Sequence, residues 1–396
     1  MEVKEKIKIA LIRGDSLAEW EGRLYEGLGE DFLVTAFCSK KNLYNTQNLN
    51  YPVKFLRSSS DNFFIKNYHK YFKGIYKMIY GLEKELQNFN IAHTAEIFNF
   101  YTNQAVRVKR VNKKLKVINY FADNTFGRFE YNYWPFSLAP KYWRKKISSI
   151  IRENVMGVDL FTPITKYSAE LLLEYGVDEK KIRIISPAIL TDSDMAVENK
   201  PFKLLLDNLK SSGREIYLVV NRMVKEKGVY EVFYGWKLFL NDAVNKNKVL
   251  IFIGDGPELK NLTRMAKDFN LNNHVIFIKN LPNQQVRQLY KYAKALILGS
   301  MPNSVWQEQF GYVLAEAISN DCPVVSTYSG AIPEVVENAG LLFSPGNPLE
   351  LRDCLIKLES FELYQALKDN CVKIKNKFAV ENFRSNLVNI YKELCD

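Results

Sequence analysis

Two glutamates eight residues apart, in Glu308-Gln-Phe-Gly-Tyr-Val-Leu-Ala-Glu316, form the densest chemical signal in the chain. An ionised carboxylate only accepts hydrogen bonds, which suits sugar hydroxyls and vicinal diols best of all. Gly311, beside Phe310, permits close backbone approach to a ligand, and the apolar run after it predicts a helix beginning there. A helix N-terminus offers free N–H groups and a positive dipole end to an anion such as a diphosphate. Glu316 then sits about 7.5 Å further along the helix, at ~1.5 Å per residue, with Glu308 in the preceding loop. Two carboxylates so placed would hold hydroxyls on either side of one diphosphate, a sugar at one end and a ribose at the other. The alternative is one exposed loop glutamate and one solvated helix glutamate. For Glu316 the alternative conflicts with its apolar setting, Leu314-Ala-Glu-Ala-Ile318, because a buried carboxylate needs a partner.

A second signal is Asn221-Arg222-Met-Val-Lys-Glu-Lys227-Gly228, directly after a predicted strand. Arg222 and Lys227 in that loop are two cations able to neutralise charge on a leaving diphosphate; basic loop residues are also commonly just solvated. The third, Gly254-Asp-Gly-Pro257, reads by itself as an ordinary turn between strand and helix.

Positioning these loops requires strands that end together. Apolar runs alternate with helical spacing along the whole chain, which predicts parallel α/β architecture. Strands are predicted at Lys8–Arg13, Lys116–Phe121, Val158–Thr162 and Arg183–Ile185, with a helix over Tyr167–Tyr175. After Ser186-Pro-Ala-Ile-Leu-Thr-Asp-Ser-Asp, aperiodic and proline-bearing, a second series begins. Its strands are Ile216–Val220, Val249–Ile253, Val275–Ile278, Ala295–Leu298 and Pro323–Ser326; its helices are Val229–Leu240, Glu258–Phe269 and Gln284–Ala293. Two doubly wound Rossmann-like domains facing a cleft are the expectation, with ligands outside the C-terminal ends of the strands.

Composition bounds the function classes. The chain has 396 residues and a net charge of +11. No stretch reaches the roughly 18 uncharged apolar residues of a membrane-spanning helix, and the N-terminus lacks a signal-peptide core. Five cysteines without C-x-x-C spacing argue against a disulfide framework or zinc site and fit a reducing cytoplasm. Between residues 101 and 152 twelve Lys and Arg face only Asp123 and Glu130, so this segment carries nearly all the excess charge. That patch suggests an anionic partner. Within it, Lys141–Arg152 has the pattern of an amphipathic helix with Trp143, Ile147, Ile150 and Ile151 near one face, which fits an interfacial helix and, equally, a solvated basic face over an ordinary core.

The three signals together, in this order and spacing, resemble the retaining glycosyltransferases of family four (glycosyl transferases group 1), which have the GT-B fold. The resemblance runs from about Ile216 to Pro345. It includes Ser300, Cys322-Pro-Val-Val, Ser329-Gly-Ala-Ile-Pro-Glu334 and Ala339-Gly340. It implies that Glu308 contacts the donor sugar and Glu316 the ribose. Arg222 and Lys227 would hold the diphosphate, the Phe310-Gly311 backbone would line it, and Gly254 would lie beside it. Where the family has a glycine-rich loop after its first strand, this chain has Arg13-Gly14-Asp15-Ser16, so Gly14 alone carries over. Where many members have a histidine–aspartate pair, it has Ala122-Asp123, which makes Asp123 the candidate for orienting acceptor or sugar. His93 stands at a strand end where the family often has a histidine; a structural histidine fits equally. His69 and His274 read as structural or surface residues. Phe378–Leu394 resembles the family's last helix, which packs back across the N-terminal domain. The implied domains are residues 1–188, joined by about 378–396, for the acceptor, and 189–377 for the donor.

The implied reaction is retaining, metal-independent hexosyl transfer by a front-face route, with positioning and charge stabilisation supplied by the protein. No cofactor is expected beyond the nucleotide-diphosphate sugar donor. A glycan or lipid-linked acceptor, an anionic membrane surface at the inner face of the cell membrane, and no nucleic acid complete the expected partners. Rivals remain. No G-x-G-x-x-G opens a helix after an early strand, against a dinucleotide-dependent dehydrogenase. A GT-B epimerase shares the architecture, as does a phosphorylase, for which no pyridoxal lysine site is identifiable. A non-catalytic basic module for membrane or nucleic acid would rest on charge alone.

Overall fold

Parallel strands buried on both faces need continuous apolar runs rather than alternation, and the sequence supplies them in two series. The first forms a six-stranded parallel sheet from β1 (Ile7–Gly14), β2 (Phe32–Ser39), β3 (Val53–Leu56), β4 (Ile91–Ala95), β5 (Lys116–Phe121) and β6 (Leu160–Pro163), in the order β3-β2-β1-β4-β5-β6. The second forms another from β7 (Glu215–Val220), β8 (Lys248–Ile253), β9 (Val275–Ile278), β10 (Ala293–Leu298), β11 (Val324–Thr327) and β12 (Gly340–Phe343), in the order β12-β11-β10-β7-β8-β9. Each order reverses beside its first strand, between β1 and β4 and between β7 and β10. This is the doubly wound pattern, in which ligands bind beyond the strand ends at the reversal.

The structure, a computed structural model, describes residues 5–73, 76–125, 141–190, 204, 207–209, 211, 213–241, 247–304 and 306–396. The chain divides into an N-terminal unit, Met1–Leu190 with Val380–Asp396, and a C-terminal unit, Thr191–Ala379. In the N-terminal unit one face of the sheet packs Phe121, Ile147, Ile151 and Phe161 around Tyr101. The other packs Ile9, Leu11, Tyr25 and Phe32 against Phe383, Leu387, Ile390 and Tyr391 of the last helix, Val380–Cys395. In the C-terminal unit Tyr217, Phe233, Trp236, Phe252 and Leu351 form the core.

One expected strand is absent. Arg183–Ile185 runs beside β6, and the N–H groups of Arg183 and Ile185 bond to the carbonyls of Phe161 and Pro163 at 2.9 and 3.0 Å. Pro163 has no N–H to return the bond, so the ladder is not completed and a single bridge from Ile182 to Phe161 remains. Strands β2, β3 and β12 were not foreseen.

Candidate active site at the strand ends

In the C-terminal unit the loops after β7, β8 and β10 approach one another through glycine. Gly228 (φ 62°) lies against the Gly299 carbonyl, and Gly254 (φ 140°) against the Asn221 carbonyl. A side chain at either position would overlap backbone. Gly254 therefore holds the β8 loop onto the β7 loop rather than forming a free turn. The Met301 N–H bonds to the Glu226 carbonyl at 2.8 Å and ties the β7 loop to the β10 loop.

This stitching places Lys227 against Glu308. Lys227 Nζ is 2.6 Å from Glu308 Oε2, and the Ser300 hydroxyl donates to the same oxygen at 2.7 Å. The ammonium also lies 4.8 Å from the centre of the Trp306 ring, a favourable cation–π arrangement. Glu308 is buried, and its backbone is pinned by Ala331 N–H at 3.0 Å. Gly330 backs onto it so closely that any side chain there would displace the Glu308 carbonyl. Arg222 differs from Lys227: its side chain is 70% exposed and 3.8 Å from Glu226. A cation held by a buried acid and a largely exposed cation thus share one loop.

Gly311 (φ 80°) precedes the helix Tyr312–Ser319, and only glycine adopts this conformation without strain. Phe310 is buried, with its ring packed edge-on to Tyr312 and Phe378 at 5.0 and 6.0 Å. Its side chain anchors the loop, leaving the backbone as the part able to face a ligand. Glu316 lies one turn into the helix. Tyr290, from the helix Asn283–Tyr290, reaches its Oε2 at 3.4 Å. Burial raises the Glu316 carboxyl, opposed by the charge of Arg287 and the Tyr290 hydroxyl. The partner that Glu316 needed therefore comes from a neighbouring helix, in Gln285-Val-Arg-Gln-Leu-Tyr290, where sequence alone gave no motif.

The N-terminal unit gathers a different set. Gly14 (φ 63°) ends β1 with its α-carbon facing the Tyr101 ring; a Cβ there would stand 3.0 Å from Tyr101 and 3.6 Å from the Lys77 side chain. Lys77 pairs with Asp15 at 2.8 Å. Asp123, beyond β5, is buried, and its Oδ1 accepts the N–H groups of Asn124 and Thr125 at 2.8 and 3.3 Å. Beside it lies Glu96, beyond β4, which sequence reading missed.

His93 is structural. Its Nδ1 meets the Tyr391 hydroxyl at 2.7 Å, and burial, aided by Arg13, holds its pKa well below the usual range. Arg13 itself is locked by Glu21 at 2.6 Å, Tyr25 Oη at 2.7 Å and the His93 carbonyl at 3.1 Å.

The interfacial-helix expectation for Lys141–Arg152 is overturned. The helix Lys141–Gly157 forms, but Ile147, Ile150 and Ile151 are buried at 2%, 6% and 3% exposure in the core of the unit. An apolar face committed to a core cannot enter a bilayer; the Trp143 side chain lies outside the described residues. The basic excess is also partly offset, since Lys109 pairs with Asp159 at 2.6 Å and Arg110 with Glu153 at 3.3 Å. Among the described residues no three His, Cys, Asp or Glu side chains converge as metal ligands, and no helix is long and apolar enough to cross a membrane.

Comparison with known proteins agrees with this geometry. Residues 204–376 match the model of glycosyl transferases group 1. The chain is 26% identical over 248 residues to N-acetyl-alpha-D-glucosaminyl L-malate synthase of Bacillus anthracis, an alignment that covers 61% of this chain and 60% of that protein. Among solved structures, a glycosyltransferase from Rickettsia africae superposes with a TM-score of 0.71 at 18% identity, covering 98% of both chains. Anabaena HepE in complex with UDP and glucose gives 0.69 at 15% identity, covering 98% of this chain and 100% of that one. Residues 204–376 of this chain thus match the glycosyl transferases group 1, and the chain as a whole shares the two-domain GT-B fold of these solved glycosyltransferases.

Proposed function

We propose that the protein transfers a hexose from a nucleotide-diphosphate sugar to a glycan or lipid-linked acceptor, with retention and without a metal ion. The observation that carries this reading is the Lys227–Glu308–Ser300 cluster, set one helix turn and a loop away from Glu316 and Tyr290. Glu308 has the position and acceptor chemistry for sugar hydroxyls, and Glu316 for a ribose diol. The N-terminus of the helix that follows Gly311 suits the diphosphate between them. Lys227 and the exposed Arg222 stabilise charge as the diphosphate leaves. In the front-face route a leaving phosphate oxygen takes the acceptor proton while the sugar passes through an oxocarbenium-like state.

UDP is the first nucleotide to test, since the Anabaena relative holds UDP and glucose. Calorimetry with UDP, GDP and ADP on the wild-type protein and Glu308→Gln checks the assignment. The nucleotide should bind both forms alike, while nucleotide-sugar turnover falls steeply in the variant. Near-normal turnover at saturating donor would refute the role of Glu308, and abolition by EDTA with rescue by a divalent ion would refute metal independence. We further place the reaction on the cytoplasmic side, with the basic N-terminal unit beside an anionic membrane surface. With Ile147, Ile150 and Ile151 buried, such docking runs on charge, so raised salt should release the protein from anionic liposomes completely.

A further inference from the structure

One of the two cations on the β7 loop meets an aromatic ring to which the donor chemistry above gives no part. The Lys227 ammonium lies 4.8 Å from the centre of the half-buried Trp306 ring, inside the roughly 6 Å reach of a cation–π attraction. Both members of this contact are seated from the backbone. Gly228, directly after Lys227, packs against the Gly299 carbonyl at the start of the β10 loop. On that loop the Ser300 carbonyl accepts the Thr327 hydroxyl at 2.7 Å. The Met301 N–H bonds to the Glu226 carbonyl and the Asn303 N–H to the Trp306 carbonyl, each at 2.8 Å, and the Glu308 carbonyl takes the Ala331 N–H at 3.0 Å. The ring is thus carried by a loop tied down on either side of it, and the Lys227 side chain beside it is only 15% exposed.

A lysine ammonium is a compact charge on a flexible four-carbon stem, so something must fix it where a reaction needs it. Glu308 does so at 2.6 Å. In transfer, however, Glu308 is to accept sugar hydroxyls, and its hold on the lysine weakens just when the diphosphate needs the charge. A ring face attracts the cation as a whole and supplies no competing carboxylate. The N–H donors of Lys227 stay available for phosphate oxygens. Arg222, on the same loop, is 70% exposed and 3.8 Å from Glu226. We propose that Trp306 is a positioning residue whose ring holds the Lys227 ammonium in place, independently of Glu308, while the diphosphate leaves. The catalytic part of this assignment rests on the glycosyltransferase reading; the hold itself does not.

The test is NMR on the full chain with carbon-13 at the lysine Cε, the Lys227 signal being the one missing from Lys227→Arg. Shielding by the indole ring should place its ε-protons upfield of those of a solvent-exposed lysine. Trp306→Leu should return the signal to the exposed position, and Trp306→Phe should keep part of the shift. In Glu308→Gln the signal should stay upfield; its return to the exposed position there would show that the carboxylate alone holds the lysine and would overturn the proposal. Trp306→Leu should also lower hydrolysis of UDP-glucose to UDP and glucose about tenfold while UDP affinity stays within about twofold, and Trp306→Phe should restore most of the turnover. Unchanged turnover in Trp306→Leu, or equal loss in the Leu and Phe variants, would overturn it as well. The lysine signal needs no donor. A wild-type protein that neither binds UDP nor hydrolyses UDP-glucose would therefore count against the glycosyltransferase reading, while the NMR arm still judges Trp306.

Discussion

The ends of the two sheets carry acidic groups under opposite regimes. In the C-terminal unit Glu308 is held by a lysine at 2.6 Å and a serine at 2.7 Å, and glycines let three loops touch backbone to backbone. In the N-terminal unit Glu96 has an acid for its strongest charged neighbour, while the nearby lysine is bound to Asp15. One site stabilises a charge, and the other suppresses one. A buried carboxylate with a cation is ready to accept hydrogen bonds from hydroxyls; a buried carboxyl without one becomes a donor. The same doubly wound strand order thus carries a carboxylate paired with a lysine at the end of one sheet and a carboxyl beside a second acid at the end of the other.

Lys227→Ala breaks the first regime most directly. It leaves Glu308 buried without its cation, so urea denaturation should show a loss of about 3–5 kcal/mol. The double variant Lys227→Met/Glu308→Gln should recover most of that stability yet stay inactive. If the single and double variants were equally unstable, the ion pair would not be the organising contact.

Glu316→Ala comes next in size. A hydrogen bond to a charged group contributes about 1.5–3 kcal/mol, so nucleoside diphosphate affinity should drop roughly tenfold or more by calorimetry. Unchanged affinity would detach Glu316 from the ribose.

The second regime predicts a pH signature in stability. Between the ordinary carboxyl range and about 8, folded Glu96 keeps a proton that the unfolded chain has lost. Wild-type stability should therefore decline as pH rises through that window and level off above it. Glu96→Gln removes this slope, so its melting temperature should gain on the wild type from pH 5 to 8 and no further. A gap independent of pH would show that folded Glu96 keeps no extra proton in this range, and the contrast between the units would vanish.

Arg222→Ala should have the smallest effect on stability, within about 0.5 kcal/mol, because the side chain is 70% exposed. Turnover should nonetheless fall more than donor affinity does, since its charge counts most while the diphosphate leaves. Equal losses in both would make it a simple binding residue.

The C-terminal unit was largely legible because its constraints fall on residue type. Only glycine fits at Gly228, Gly254 and Gly311, and a carboxylate inside Leu314–Ile318 announces a partner. The N-terminal unit hides its constraints in conformation. Nothing in Ala95-Glu-Ile-Phe marks Glu96, whose left-handed backbone is imposed by the strand ends around it. Lys77 is hidden in the same way, with φ 56° and no glycine to signal the turn. Edge strand β3 escaped because its residues are half-exposed and polar in part. Lys141–Arg152 was legible as an amphipathic helix, but a lipid surface and an ordinary core were both open for its apolar face; amphipathic patterning gives the direction of the buried face and not what covers it.

The last helix has a consequence for synthesis. Phe383, Leu387, Ile390 and Tyr391 complete the N-terminal unit's core, and Tyr391 closes on His93, yet the ribosome makes them after the entire C-terminal unit. At ~5–20 residues per second, the 190 residues from Thr191 to Val380 take roughly 10–40 s to emerge. Throughout that interval the first sheet exposes Leu11, Tyr25 and Phe32 to solvent, and Thr191–Ala379 is complete before the last helix emerges. The nascent chain should therefore mature in reverse order, with Thr191–Ala379 settling before the N-terminal unit that precedes it in sequence. Chaperone occupancy on stalled nascent chains should persist on residues 7–39 until the final helix has left the exit tunnel.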